Sequence, residues 1–379
     1  METLNTSFHD KLREMSDSII NPINSNALLA WAERLPWAVK MASTEQDSYY
    51  HQEGDVWLHT KMVCRALEGD PEWFELDRRT RTTLYWAAVL HDVGKPATTK
   101  EEDGRIVSPK HAKVGEKIAR NILREIGIEF NQREQVCALI RQHTKPPHAW
   151  DKDIDIEDQI VNLSWQCNIG LLHSLVKADL RGRKCDDSRN LLDNLRLWRM
   201  YTKEMLENDE PFAFANNHSR FLWFRNELSH RVYAAFEKYR CTVTMLSGLP
   251  GSGKDTWAQN NFDGPIVSLD RFRREGAGNQ SIQLAKEEAK DYLRKRQNFC
   301  FNATNLTQSL RNKWISTFAS YGAKVKIVYI EPELSILFNQ NENREFSVPR
   351  NAMEKMLASL EVPTLAECHE IEYITGNKK

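Results

Sequence analysis

No stretch of this sequence is apolar for the ~18 residues that a membrane-spanning helix needs; charged residues interrupt every candidate run. The first residues, METLNTSFHDKLREM, hold no apolar signal core, so a secretory leader is not expected. No CxxC pair occurs. The seven cysteines (Cys64, Cys137, Cys167, Cys185, Cys241, Cys300 and Cys368) are odd in number, which argues against a disulfide framework. Small reduced thiols in a cytosolic protein fit best. Neither sign of charge dominates: 52 basic residues face 53 acidic ones, for a net charge of −1. That removes the broad basic field of a protein that coats nucleic acid. It leaves room for an enzyme that grips a few phosphates with local Arg and Lys. Internal repeats and low-complexity segments are absent. The 41% hydrophobic and 28% charged content is ordinary for a globular chain and excludes collagen and general disorder. At about 100–200 residues per domain, 379 residues imply two or three domains.

Two halves with different patterning are present. The first ~235 residues read as successive amphipathic helices, for example Thr80–Leu90, Ala112–Ile126 and Glu134–Gln142. Breaks fall at Gly69-Asp70-Pro71, Lys95-Pro96, Asp103-Gly104 and Pro146-Pro147. Leu222–Tyr239 reads as one more helix. Beyond Arg240, strand candidates (Cys241–Ser247, Pro265–Leu269, Phe299–Ala303, Val325–Ile330) alternate with helical stretches such as Ile282–Arg296 and Gln308–Ser320. Alternation of this kind predicts a parallel sheet wrapped by crossovers. The expected domains are 1–238, all-helical, and 239–379, α/β. Counted from the sequence, the first carries 33 basic and 37 acidic residues, the second 19 and 16. The mild positive excess weakly favours an anionic ligand in the second half.

In the helical half, titratable residues lie along apolar stripes. His59 shares a face with Val56 and Val63, His91 with Leu84 and Ala88, and His111 with Val114, Ile118 and Ile122. His143 continues Val136 and Ile140, and Asp179 continues Leu172 and Val176. A single such histidine is usually a hydrogen-bonded core residue. Five faces that each aim a costly polar group inward make sense if the groups converge. Asp92 follows His91 near a helix end. Imidazole with carboxylate suits divalent transition metals such as Mn, Co or Ni, one ion or two. His51 and His148 fall in expected loops, either supporting the ligands or simply solvated, and His173 lacks comparable support.

His59, then His91-Asp92, then Asp179, in the phrases DVWLHTKMV, AAVLHDVGKP and VKADLRGRK, resembles the metal-ligand order of HD-domain phosphohydrolases. His111 and His143 match the two extra histidines of dinuclear members. The resemblance covers most of residues 50–185. It implies an all-helical fold and metal-dependent hydrolysis of a phosphate ester, with Asp92 central to the chemistry. Lys95 and Arg183 would then hold the substrate phosphate, or else are ordinary surface charges.

In the second half, Gly248-Leu249-Pro250-Gly251-Ser252-Gly253-Lys254-Asp255-Thr256 follows a strand and opens a helix, the context of a phosphate-binding loop. Glycines let backbone N–H groups face phosphate oxygens, the helix N-terminus adds its dipole, and Lys254 reaches the β- and γ-phosphates of an NTP. The pattern departs at one place. Asp255 stands where a Ser or Thr hydroxyl meets Mg²⁺. Either Asp255 ligates the ion, directly or through water, or Thr256 takes that role. Asp270, at the end of the next strand, is either a base for an incoming hydroxyl or a helix cap. Arg273 is either a bidentate phosphate contact or a solvated side chain.

GLPGSGKDTW, SLDRFRR, NATNLTQSLRNKW and REFSVPRNAMEKM together resemble polynucleotide 5′-kinases. This resemblance covers nearly all of residues 240–379. It implies that Asp270 is the general base, that Arg273 contacts the substrate phosphate, and that Arg344 is a lid arginine ahead of Val348-Pro349. Where phage-type lids carry a second arginine, this chain has Gln340, and Arg350 is a substitute or a solvated residue. Asn302 stands where an aspartate is commoner. The two halves in tandem look like bacterial bifunctional HD-phosphatase/polynucleotide-kinase end-healing enzymes. That resemblance implies ATP or another NTP with Mg²⁺, RNA or DNA strand ends as substrates, and a separate ligase acting afterwards. The rival readings are a nucleotidase joined to a small-molecule kinase, and an NTP-gated sensor with a non-catalytic helical bundle.

Overall fold

The computed structural model describes residue 22, residues 24–150 and residues 155–376. The segment read for a signal core lies outside them. Among the described residues, no helix is long and apolar enough to cross a membrane. The chain forms two compact units, Met1–Phe212 and Ala213–Lys379.

The first unit contains α1 (Ser25–Ala32), α2 (Pro36–Ala42), α3 (Val56–Glu68), α4 (Arg78–Leu90), α5 (His111–Ile126), α6 (Phe130–Gln142), α7 (Ile156–Ser164), α8 (Ile169–Gly182) and α9 (Ser188–Met205). Short polar side chains start several of these. Asp55 accepts from Leu58 N–H at 2.8 Å, Asp77 from Thr80 N–H at 3.0 Å, and Asn168 from Leu171 N–H at 2.9 Å. Helix α4 is the centre of the unit: every residue from Thr82 to Leu90 is buried. A helix covered on all sides carries no single apolar stripe, so the face assigned to Leu84, Ala88 and His91 is only part of what it buries. Helix α5 buries Ala112, Gly115, Ala119 and Leu123. The stripe of Val114, Ile118 and Ile122 is half-buried and lies beside that face, so His111 sits at the margin of the core. This half also contains a hairpin, β1 (Lys100–Glu102) with β2 (Arg105–Val107), turned by Asp103 (φ 52°) and Gly104 (φ 72°). An Asp-Gly turn with both residues left-handed matches the twist of a two-residue hairpin. Its strands are too short to show alternation in sequence.

The second unit begins earlier than the boundary expected at 238. Helix α10 (Asn217–Phe224) belongs to it. Arg220 donates to the carbonyls of Leu365, Cys368 and His369, and the Phe221 ring stacks on His369 at 3.9 Å. The helix expected over Leu222–Tyr239 is therefore shorter and shifted. Asn216 caps its start and Asn226, at φ 56°, ends it.

The remaining elements are β3 (Cys241–Ser247), α11 (Lys254–Asn261), β4 (Ile266–Ser268), α12 (Leu269–Arg274), α13 (Ser281–Arg294), β5 (Phe299–Asn302), α14 (Gln308–Ser320), β6 (Ala323–Glu331), α15 (Leu334–Glu342), α16 (Arg350–Ser359) and β7 (Glu370–Thr375). The five strands form one parallel sheet in the order β4-β5-β3-β6-β7. Alternate side chains fill opposite faces. Val243, Met245, Phe299, Phe301, Val325 and Ile327 pack with α10, α13 and α14, while Leu246, Cys300, Val328 and Ile330 pack with α11. The chain steps from β3 to both sides of the sheet, so the crevice beyond the carboxyl ends of its central strands is where a ligand is expected.

His218 and His369, which carry no signal in the sequence, are structural here. His369 Nδ1 accepts from Val325 N–H at 3.0 Å, and its Nε2 lies 3.1 Å from His218 Nδ1. Burial, with repulsion from His218, pushes the His369 imidazole down to about 3 from its ordinary 6.5. The folded protein keeps this ring neutral, so its contribution is complete above pH 6.5 and is lost as pH falls from there toward 3. The thermal midpoint of H369Q, which cannot titrate, should therefore approach that of wild type between pH 7 and pH 5. A midpoint difference constant with pH would contradict this.

Candidate active sites

In the first unit, all six ligands expected from the sequence are brought together and are buried or nearly so. His59 projects from α3 and Asp179 from α8. His91 and His143 sit at the C-terminal ends of α4 and α6, and His111 opens α5. His59 Nε2 lies 2.9 Å from Asp179 Oδ1. Asp92 Oδ2 is 3.1 Å from His91 Nε2, and Asp92 Oδ1 is 3.4 Å from His111 Nε2 and 3.9 Å from His143 Nε2. The donors fall into two triads, His59/His91/Asp179 and Asp92/His111/His143, each with its atoms within 4.8 Å of one another. Asp92 turns one oxygen toward each triad.

The tautomers follow from the backbone. His91, His111 and His143 each place Nδ1 2.7–2.8 Å from the carbonyl three residues earlier: Ala88, Ser108 and Ile140. A carbonyl can only accept, so Nδ1 carries the proton and a neutral ring presents a bare Nε2 inward. His111 and His143 bring those nitrogens to 3.3 Å. Two lone pairs at that distance repel unless a cation or proton lies between them. His91 Nε2 and Asp92 Oδ1 are buried without a hydrogen-bond partner. This donor set fits divalent metal: neutral imidazoles, ionised carboxylates and orphaned buried atoms aimed at common points.

The electrostatics favour the neutral ring at His111 and His143, but not at His91. Burial, helped by His111 and His91, pushes His143 down to about 3, and burial also lowers His111. Burial opposes charge on His91, but the Asp92 carboxylate outweighs it and favours the imidazolium. Burial likewise opposes ionisation of Asp92 and Asp179. His91 and Lys95 hold the first well below the carboxylate range, and Arg183 and His59 hold the second there.

Lys95 is buried, with Nζ 2.8 Å from Asp92 Oδ2 and 2.7 Å from Gln46 Oε1. Arg183 Nη2 lies 3.4 Å from Asp179 Oδ2. Both cations therefore flank the cluster and are not surface charges. His51 also joins it. Its Nδ1 is 2.9 Å from Glu53 Oε1, which lies 2.8 Å from His59 Nδ1. His148 is exposed in a short turn. Glu53 is not legible in the sequence. It stands in the loop before α3, where no periodicity marks it, and its Oε2 accepts Lys184 N–H at 2.8 Å. It thus ties the His59 helix to the chain following Asp179 and fixes the His59 ring. Gln46 is unmarked for the same reason.

Gly94 lets the His91-Asp92 segment pass against α5. A β-carbon there would meet the His111 carbonyl at 2.2 Å and the Gly115 nitrogen at 2.6 Å. Neither neighbour is a movable side-chain end. Gly94→Ala should displace α5, cost about 1–3 kcal/mol in denaturant unfolding, and lower metal content. Unchanged metal stoichiometry would refute the link between this contact and the Asp92/His111/His143 triad.

In the second unit, the loop between β3 and α11 wraps the helix N-terminus. Gly251 has φ 77°, and a β-carbon there would lie 3.0 Å from Asn341 N and the Leu337 carbonyl. Lys254 folds back over the loop, donating to the Leu249 carbonyl at 2.7 Å and lying 3.3 Å from Ser252 Oγ. Burial lowers its ammonium to about 8, against the opposing pull of Asp255 and Asp270, while Arg344 adds to the lowering. Lys254, Asp255, Asp270 and Arg344 thus share one electrostatic site.

The question of a cap at Asp270 is decided by Ser268, whose hydroxyl accepts Arg271 N–H and starts α12. Asp270 is left half-exposed with Arg273 Nη1 at 3.1 Å. Arg350 leans over the Phe338 ring and toward Glu354 on the surface, so nothing brings it to Lys254. Two asparagines support the site: Asn341, which carries no mark in the sequence, and Asn305, whose Thr304-Asn305 pair belongs to the kinase-like phrase NATNLTQSLRNKW. The Asn341 amide clasps Val348 through both its backbone groups (2.8 and 3.1 Å), closing the loop that carries Arg344. Asn305, at φ 47°, donates to the Leu246 carbonyl, and Gly248 N–H donates to the Thr304 carbonyl. Thr256 is exposed on α11, and Asp255 accepts from the Asn302 amide.

The first unit is therefore a helical bundle holding two adjacent triads whose chemistry suits metal ions, and the second an α/β domain with a glycine-rich loop suited to phosphate. Comparison with known families agrees. Residues 55–164 match the HD domain model and residues 243–363 match an AAA domain model. The chain combines an HD domain of phosphohydrolase type with a P-loop, kinase-like domain, which supports a bifunctional phosphatase and kinase. Asp179 lies beyond the matched HD segment.

Proposed function

We propose that this protein heals broken nucleic-acid ends, with RNA as the favoured substrate. The HD unit removes a terminal 2′ or 3′ phosphate. The P-loop unit transfers the γ-phosphoryl group of ATP or another NTP to a 5′-OH, and a separate ligase seals the result. The observation that carries this reading is the Asp270–Arg273 pair, half-exposed at the end of β4 and sharing a site with Lys254, on a chain that also holds the six-ligand His/Asp cluster. A base beside a phosphate-binding arginine suits an acceptor that itself carries phosphate, as a strand end does and a free nucleoside does not.

In the HD unit, His59, His91 and Asp179 would hold one transition-metal ion and Asp92, His111 and His143 a second. Bound ions supply Lewis acidity and a water of lowered pKa. Lys95 and Arg183 supply positive charge for the departing phosphate, and the backbone carbonyls keep three imidazoles in the ligating tautomer. In the kinase unit, Asp270 takes the proton of the attacking hydroxyl. Arg273 orients the strand, and Lys254 and Arg344 neutralise charge on the transferring group.

The test supplies one 3′-phosphorylated, 5′-OH oligonucleotide, in RNA and DNA forms, and in parallel a free nucleoside, each with γ-labelled ATP and with metal-replete protein of measured metal content. Label on the oligonucleotide together with loss of the 3′ phosphate is expected, faster on RNA. Label on a free nucleoside alone would instead establish a small-molecule kinase.

A further inference from the structure

In phosphate-binding loops generally, Mg²⁺ is held by a hydroxyl directly after the loop lysine and by a carboxylate at the end of a neighbouring strand. In this chain both positions depart, in opposite senses. Asp255 follows Lys254, and Asn302 ends β5. The two departures meet in space. Strand β5 pairs with β3 in parallel, with Asn302 opposite Leu246, two residues before the loop. The Asn302 Nδ2 donates to Asp255 Oδ1. That bond fixes the amide with its nitrogen on the aspartate and leaves Asn302 Oδ1 as a neutral oxygen. The pair therefore carries one negative charge and two kinds of oxygen ligand, as the usual pair does, with charge and neutrality exchanged between helix and strand.

We propose that Asp255 and Asn302 form a charge-swapped Mg²⁺ site, in which Asp255 is the anionic ligand of the Mg²⁺–NTP complex and Asn302 its neutral partner. This rests on the kinase reading of the second unit. Thr256 is poorly placed to replace Asp255. It lies one residue further along α11, about 100° around the helix, whereas Asp255 is the residue in contact with the strand end. Asp255 is exposed and Asn302 is buried, so the carboxylate is the member of the pair open to an incoming ion. Mg²⁺ commonly keeps several waters and takes one or two carboxylates. An aspartate at a helix start also faces the helix dipole favourably.

The exchange predicts opposite effects with and without the ion. Without Mg²⁺, Asp255 repels the triphosphate. With Mg²⁺, it attracts the complex. Calorimetric titration of the full chain with ATP, in Mg²⁺ or in EDTA, reads this directly. Wild type should bind ATP at least about tenfold more tightly with Mg²⁺, the order of one charge-assisted contact. Asp255→Asn should bind ATP more tightly in EDTA than wild type does and should lose most of the Mg²⁺ benefit. Asn302→Asp, which sets two carboxylates side by side, should weaken ATP in EDTA. The double variant D255T/N302D, which restores the ordinary arrangement, should regain the Mg²⁺ benefit, and thermal unfolding of each single variant checks that it folds.

If Asp255→Asn keeps the full Mg²⁺ benefit while Thr256→Val removes it, the ion belongs to Thr256 and the proposal is overturned. Failure of the double variant to recover, with wild-type thermal stability, overturns it as well. Wild type that binds no ATP in either buffer overturns the kinase reading and this site with it. Wild type with the expected Mg²⁺ pattern that labels only nucleosides leaves the swapped site standing and removes the strand-end substrate.

Discussion

In the Asp92→Ala variant, release of phosphate from a 3′-phosphorylated oligonucleotide is expected to fall by about three orders of magnitude, with loss of bound transition metal. The reason lies in how Asp92 is shared. One of its oxygens faces His91 and Lys95, and the other faces His111 and His143. Its removal deprives both triads at once, and it takes from buried Lys95 the carboxylate that balances its charge, leaving the neutral Gln46 amide oxygen against it. Replacing a residue of one triad, such as His143→Ala, should be milder in metal content, because the His59/His91/Asp179 group remains complete. The check is elemental analysis of both variants beside a phosphate-release assay. The 5′-kinase rate of D92A serves as the internal control, since no residue of the phosphate cradle belongs to the first unit. Full 3′-phosphate removal by metal-replete D92A would refute catalysis by this cluster.

Asp270→Asn should lower kcat for phosphorylation of a 5′-OH end by about 10²–10⁴-fold, with little change in ATP affinity. Asparagine preserves the size of the side chain and can still contact Arg273, but it cannot take a proton. Because Ser268 caps α12, the substitution leaves the helix start intact. A large loss of rate with preserved thermal stability would therefore report chemistry and not folding. Arg273→Ala should act differently, raising KM for the oligonucleotide more than it lowers kcat, if its role is to hold the strand's phosphate. Equal kcat for D270N and wild type in a single-turnover assay would exclude Asp270 as the base.

Much of both sites is legible in the sequence. The candidate ligands His59, His143 and Asp179 stand out because burying a polar group along an apolar stripe is costly. His91 and His111 lie on stripes that are only part of, or beside, the buried face, and Asp92 is marked by its place next to His91. The cradle stands out because glycine spacing between a strand and a helix is dictated by backbone geometry. Most supporting residues carry no such mark. Glu53 and Gln46 lie in irregular loops, where neither period nor motif distinguishes them from solvated side chains. Asn341 lies in a polar stretch, and only its clasp on Val348 reveals its role, whereas Asn305 is marked by the resemblance of its phrase, and its bond to the Leu246 carbonyl shows what it holds.

The domain boundary shows the same division. Composition and periodicity change near residue 240, where the first strand of the parallel sheet begins, so local pattern divides the chain there. The compact units part near 212 because Arg220 and Phe221 on α10 bind a segment about 145 residues away, and local pattern carries no record of such contacts. By itself the sequence singled out the candidate side chains of both sites, since residue type and spacing along one element are local properties. The tertiary structure alone decided how they meet. It shares Asp92 between two triads, locks three imidazoles by their own backbone, and sets Asn302 against Asp255. Those arrangements depend on packing between elements far apart in the chain.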